Sequence, residues 1–324
     1  MPIAINKEID HLFISLCKVK EHTFIMLGVY DQNKVRHLLC RVGKGGVVGR
    51  KNQCSAMMNV LCNILFFAAK AQLYDEGISR QYKYSQPISY QAYDISYAQY
   101  LEFLQILESL QTEENKFNCY KPIAEKGNEI TLDLTDAPML PAKSASKIKE
   151  NICELSIDNT CRHSAIKLVE TTQHAPIASL ASEYFFVDLP YNTELEYGQP
   201  SKHIPFYVLP ASPAAFPELD KSRKDILKKL YQRMEHMLLL KTHSHSTQDK
   251  FLKLKELYLQ IIGPHQPISL DELLQSIRIW KEKNESTLAV LRKTYFWDSF
   301  FVRQSATMNL IVEVEHDLEM KIGR

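Results

Sequence analysis

Residues 22–42, HTFIMLGVYDQNKVRHLLCRV, hold two apolar runs rich in β-branched and aromatic residues around a short polar break. Residues 23–30 and 35–42 read as strands and residues 31–34 as the turn between them, so the chain opens on an antiparallel hairpin. A two-residue turn at Gln32-Asn33 sets His37 opposite Gly28 and His22 opposite Gly43. The two histidines then share a face, but at about 3.3 Å per residue they lie roughly 20 Å apart along the ladder.

Working outward, Gly43 to Gly49 reads as a flexible connector, because its GKGG run lacks the spacing and the Lys-Ser/Thr ending of a phosphate-binding loop. It leads to a helix expected at about 53–75, where Met58, Leu61, Leu65 and Ala69 recur at helical spacing. Residues 86–97 read as a strand running into a helix over about 97–111, with Tyr100, Phe103, Leu104 and Leu107 on one face. Residues 117–150, broken by Pro122, Gly127, Pro138 and Pro141, read as loops with one short strand at 129–134. A helix follows over about 159–172. Proline then interrupts strand-like stretches at 183–189 and 204–209. From residue 218 the pattern turns helical, with helices expected at 218–241, 248–262, 269–284 and 285–321. Ser269 with Glu272 forms a capping box at the third of these. The expected class is α+β: an antiparallel sheet with packed helices, then a helical C-terminal region. The expected division is 1–175, a Pro-rich connector packed on it over 176–217, and a helical domain over 218–324.

Composition narrows the function. A chain of 324 residues suggests two units, or one large domain with an appendage, and 39 Lys+Arg against 38 Asp+Glu leaves no broad cationic field, so no nucleic-acid partner is expected. Seven cysteines without a CxxC pair read as free thiols, with no disulfide framework, metal site or cofactor expected. Residues 1–20 lack the pattern of a secretory leader. The longest apolar stretch, 56–71, is broken by Asn59, Asn63 and Lys70 and is shorter than the ~20 residues of a membrane span, so it reads as a buried helix.

The chemistry-bearing stretch is Asp158-Asn159-Thr160-Cys161-Arg162-His163-Ser164, polar capping residues ahead of the apolar-periodic Ala165, Ile166, Leu168 and Val169. Cys161 then falls in the first turn of a helix, where unpaired amides and the positive end of the dipole stabilise a thiolate. A thiolate nucleophile needs a proton acceptor on a rigid neighbouring element, and His22 stands at the start of the first long strand. His163, two positions after Cys161 on the same helix, points to a different side and reads as a hydrogen-bonded structural histidine.

These stretches, with the aromatic strand-then-helix passage at residues 93–101, resemble the circularly permuted papain-fold enzymes. That group includes NlpC-type peptidases and amidases and the lecithin:retinol acyltransferase-like acyltransferases. The resemblance covers about residues 20–172. It implies a papain-like sheet, a cysteine nucleophile at Cys161, a histidine base at His22, and His37 on the second hairpin strand as the orienting residue. Arg41, Gln91 and a residue of a third strand stand as alternatives to His37. The sequence departs from the acyltransferase motif in separating Asn159 from Cys161 by Thr160. The main-chain N–H of Cys161 is a candidate oxyanion donor.

Elsewhere, His243-Ser244-His245 reads as loop histidines, since no third metal ligand stands at a characteristic spacing. The basic stretches 221–229 and 250–255 read as solvated helix faces, and 295–302 as helix core. Glu313, Glu315, Asp317 and Glu319 form an acidic cluster near the C-terminus. With the papain-like half and the helical region, it resembles effectors of intracellular bacteria such as Legionella. That resemblance implies secretion into the host cytosol and a host protein or peptide as substrate or partner. The expected function is a cysteine-dependent hydrolase or transferase acting on an amide or isopeptide bond through an acyl-enzyme. The alternative is a binding effector that keeps the fold without the catalysis.

Overall fold

A computed structural model describes residues 2–31, 34–47, 69–76, 86–141, 146–177, 180–184, 187–196, 199–200, 205–240, 242–263, 269–291 and 303–323. The fold is α+β and divides into two compact units, Met1–Ala211 and Ser212–Arg324.

The strands of the first unit are β1 (Ile3–Asn6), β2 (His11–Val19), β3 (His22–Asp31), β4 (Lys34–Gly46), β5 (Ala69–Asp75), β6 (Gln86–Ile95), β7 (Cys119–Lys126), β8 (Glu129–Thr135), β9 (Glu154–Leu155), β10 (Tyr191–Glu196), β11 (Gln199–Pro200) and β12 (Val208–Leu209). Its helices are α1 (Tyr97–Leu110), α2 (Ser146–Cys153) and α3 (Cys161–Gln173). The large sheet runs β11-β10-β6-β2-β3-β4-β5-β9, with β12 added parallel to β6, and β1-β8-β7 form a small antiparallel sheet. Strands β2 and β3 are buried along nearly their whole length, as expected of central strands covered on both faces. Helix α3 lies against β2, β3 and β4 and touches α1 and α2. On the opposite face, Phe206 stacks on Tyr90 with ring centroids 4.3 Å apart and meets Phe13, while Tyr191 stands edge-on to Tyr90.

The opening hairpin forms as expected, with Asp31 opposite Lys34. Two bulges then shift its register, so that His37 faces Val29 rather than Gly28 and Phe24 faces Gly43. Several expectations are corrected. Residues 43–46 are not a connector but the end of β4, paired with β5. Of the helix expected over 53–75, residues 53–68 lie outside the described residues, and 69–75 form strand β5. Its burial alternates at Ala71, Leu73 and Asp75, a period of two rather than 3.6. Residues 119–126, read as loop, pair with β8. Residues 183–189 form no strand where described, and the segment 176–217, expected to pack on the first domain as a connector, supplies β10 and β12 to the large sheet.

The second unit holds α4 (Lys221–Leu238), α5 (His245–Ile262), α6 (Leu270–Ala289) and α7 (Ala306–Ile322). Each buries an apolar stripe, with Ile226, Leu230 and Met234 on α4 and Ile311, Val314 and Leu318 on α7. The capping box of Ser269 and Glu272 is present at α6. One helix over 285–321 does not form, because α6 ends at Ala289 and α7 starts at Ala306. The aromatic run at 295–302 lies outside the described residues. The C-terminal acids are largely paired within the unit: Glu313 and Asp317 with Lys229, Glu315 with Lys281 and Glu319 with Arg278. Among the described residues no helix is long and apolar enough to cross a membrane, and no cluster of three or more His, Cys, Asp and Glu could hold a metal.

Candidate active site

The ladder between β3 and β4 ends at Phe24–Gly43, after which β4 continues in pairing with β5. The first turn of α3 meets β3 at this divergence. The Thr23 N–H, beyond the last ladder pair, donates to Cys161 Sγ at 3.4 Å. Cys161 is the first residue of α3 and is 8% exposed, close under the surface.

Local sequence explains why the helix begins there. Thr160 is the N-cap, its hydroxyl accepting from Arg162 N–H at 3.3 Å. The Thr160 N–H donates to Nδ1 of His163 at 3.3 Å, closing a capping box in which histidine takes the usual Glu/Gln place. His163 is therefore structural and half-buried, with Nδ1 engaged as an acceptor. Asn159 is locked in the preceding turn: its side-chain amide donates to the Asn151 carbonyl at 2.7 Å and the Glu154 carbonyl at 2.9 Å. Lys44 ties this turn to the sheet. Its buried Nζ reaches the carbonyls of Asn151 (2.7 Å) and Asn159 (2.9 Å), Oδ1 of Asn159 (3.0 Å) and the hydroxyl of Ser164 (2.9 Å). Burial holds Lys44 down at about 8, against the opposing pull of the Cys161, Glu154 and Cys153 charges.

His22 opens β3 opposite Val19, its ring stacked on Phe24. Its Nε2 lies 2.7 Å from Oε1 of Glu76, the residue immediately after β5, and both side chains are largely buried. With Nε2 committed to Glu76, Nδ1 is the ring nitrogen left to serve the thiol. Burial pushes His22 down, but hydrogen bonds to Cys161 and Glu76 and their charges outweigh it, so the imidazole titrates above its ordinary value. For Cys161, burial raises the thiol, while His22 and the N–H of Thr23 overcome it and leave the sulfur more acidic than an ordinary cysteine. The two opposed shifts are those of a thiol and an imidazole that favour each other's charged forms, with a carboxylate behind the ring. Gly43 makes room for the His22–Glu76 contact, since a Cβ there would overlap Glu76 Oε1 and stand 2.8 Å from His22 Nε2.

No protein-family model, curated protein or solved structure matches the chain.

The structure brings Cys161 and His22 together and leaves His37 apart. His37, opposite Val29, is seven positions along β3 from the level of His22, about 23 Å at the usual strand rise. The ring nitrogen it was expected to orient is taken by Glu76, which corrects the expectation. Arg41 and Gln91 do not hold that nitrogen either. Sequence reasoning missed Glu76 and Lys44. For Glu76 the available signal was the alternation in AKAQLYD, residues 69–75, which points to a strand ending on an acidic pair. For Lys44, a cation amid glycines, no local signal announces the oxygen cage that forms around it.

Proposed function

We propose that the protein is a cysteine-dependent amide or isopeptide hydrolase or transferase using Cys161, His22 and Glu76. The observation that carries this reading is the Nε2 of His22 committed to the Glu76 carboxylate at 2.7 Å, with the Cys161 sulfur on the main-chain N–H of the next residue, Thr23. The order of the two groups along the chain, histidine on an early strand and cysteine opening a later helix, agrees with the resemblance to permuted papain-fold enzymes.

Cys161 Sγ attacks the substrate carbonyl carbon, and the carbonyl π pair moves to oxygen. The N–H of Cys161, at a helix position with no intrahelical partner, faces the developing oxyanion. His22 gives its proton to the departing nitrogen as the C–N bond breaks, leaving a thioester on Cys161. Water or an acceptor amine then gives its proton to His22 and attacks the thioester, restoring the thiolate and the imidazolium. An amine is a poor leaving group without protonation, so a histidine raised above its ordinary value suits an amide better than an ester. Glu76 fixes the ring and stabilises its charged form, in the manner of the third member of a triad.

The test is iodoacetamide modification of the full chain at neutral pH, followed residue by residue by peptide mapping. Cys153, an exposed thiol, is the internal reference. Cys161 is expected to react faster than Cys153 despite its burial, and to lose that advantage in His22→Ala. Slower reaction at Cys161 than at Cys153 in the unaltered chain would refute the reading.

A further inference from the structure

Arg162, the residue after Cys161, carries buried donors that the described residues leave without hydrogen-bond partners. Its side chain is closed to solvent, and its Nε donates to the Ser182 carbonyl at 2.5 Å. Neither Nη1 nor Nη2 meets a hydrogen-bond partner among the described residues. Gln91 is in the same condition, fully buried with both Nε2 and Oε1 unpartnered.

The register places the two on one side of the sheet. Phe24 faces Gly43, so the next residues, Thr23 and Lys44, share the other face, the one from which Lys44 reaches Asn159 and Ser164 at the start of α3. Thr23 pairs with Lys18 and Lys18 with Ser89, and Gln91 lies two positions further along β6, so it too stands on the face that α3 covers. A carboxylate on that side, Asp188, is held by Lys18 at 2.7 Å. The Cys161 sulfur and Asp188 both bear electrostatically on Arg162, which places the guanidinium within the field of the thiol.

A guanidinium does not shed its proton in a protein, so it cannot escape burial by becoming neutral. Buried donors without partners in a native fold call for a water, an ion or a ligand. With Nε engaged, the unpartnered side of the fork is its buried Nη1–Nη2 edge, which matches the two oxygens of a carboxylate end-on, and the Gln91 amide offers a further donor. We propose that Arg162 and Gln91 form a carboxylate-binding subsite beside Cys161, so that the substrate bears a carboxylate close to the bond under attack. This rests on the thiol reaction proposed above.

Competition and charge-matched alkylators test it on the full chain. Acetate is expected to slow iodoacetamide modification of Cys161 in a saturable way and to leave Cys153 unaffected, while acetamide at equal concentration protects neither. The iodoacetate-to-iodoacetamide rate ratio at Cys161 should exceed that at Cys153 by about tenfold, the size of one charge-assisted bond pair, and fall to the Cys153 value in Arg162→Gln. Should that variant fail to fold, the acetate competition in the unaltered chain decides. Equal ratios at the two cysteines and no protection by acetate would overturn the subsite while leaving a fast, His22-dependent Cys161 intact. Stronger protection by inorganic phosphate than by acetate at matched ionic strength would also overturn it, in favour of a phosphate site. Failure of Cys161 to outpace Cys153 with iodoacetamide would instead remove the thiol reaction itself.

Discussion

Gly43 is where a single methyl group decides the chemistry. The His22 and Glu76 atoms that a Cβ would strike are the two that bond each other, so Gly43→Ala must part them to relieve the overlap. Its neighbours are largely buried and have little room to retreat. The expected outcome is a fall of about tenfold or more in Cys161 alkylation at neutral pH, with the circular-dichroism spectrum unchanged, as for loss of an orienting partner. Glu76→Gln asks the same question through charge. It keeps the shape but removes the anion that helps to raise His22, so the imidazolium weakens and the thiol drifts up toward its ordinary range. The unaltered protein should remain reactive below the ordinary cysteine range, whereas Glu76→Gln should reach comparable rates only as pH approaches the ordinary thiol value of about 8.5. Equal alkylation profiles for the two proteins would remove Glu76 from the site. Cys161 and His22 were legible because each announces itself locally, one by a capping sequence and the other by a strand start. Glu76 meets His22 only through the pairing of β4 with β5, which local periodicity does not encode.

At the scale of the element, the start of α3 is held by two devices of different strength. Thr160 caps it with a hydroxyl, so Thr160→Ala should cost about 1 kcal/mol in chemical denaturation, the usual magnitude for a lost N-cap. Lys44 holds it with a buried ammonium, and its proton makes that grip depend on pH. Folding lowers Lys44 to about 8, against about 10.4 for a free lysine. Between these values the unfolded chain binds more protons than the folded one, so the Lys44 contribution makes stability rise with pH across that window, and it is flat below and above it. Lys44→Met should remove that rise, as measured by denaturant titrations at about pH 7.5, 9 and 10.5, which bracket the two values. An unchanged slope would show that Lys44 is not the titrating group. The boundaries of α1 and α3 were readable because their caps lie within the sequence of the helix itself, Ser96 with Gln99 and Thr160 with His163. Strands β5 and β7 were not, because a strand's stability comes from its partner, and a short run such as AKAQLYD, residues 69–75, says little about which neighbour completes it.

For the whole molecule, the sequence reading and the structure disagree about where the first unit ends, and the disagreement has a thermodynamic consequence. Proline punctuation suggested an end at residue 175, with a connector to follow. Prolines do mark the path, but between them lie Leu189, Tyr191, Phe206, Tyr207, Val208 and Leu209, all 4% exposed or less. At about 1.5–3 kcal/mol for each large apolar side chain buried, these six together are worth as much as the roughly 5–15 kcal/mol that holds a typical domain folded. Tyr90 would also lose its hydrogen bond to the Tyr207 N–H and the ring of Phe206 stacked upon it. A chain ending at residue 175 is therefore expected to lose cooperative unfolding, and one ending at Ala211 to keep it. Cys161, His22, Glu76, Gly43 and Lys44 all lie before that point, so the fragment ending at Ala211 should also keep the fast, His22-dependent alkylation of Cys161. Thermal unfolding and the Cys161-to-Cys153 labelling ratio, measured on both fragments, check this together. A cooperative, reactive fragment ending at residue 175 would mean that the sheet stands without β10 and β12, and that the segment carrying them is the appended connector its prolines suggest.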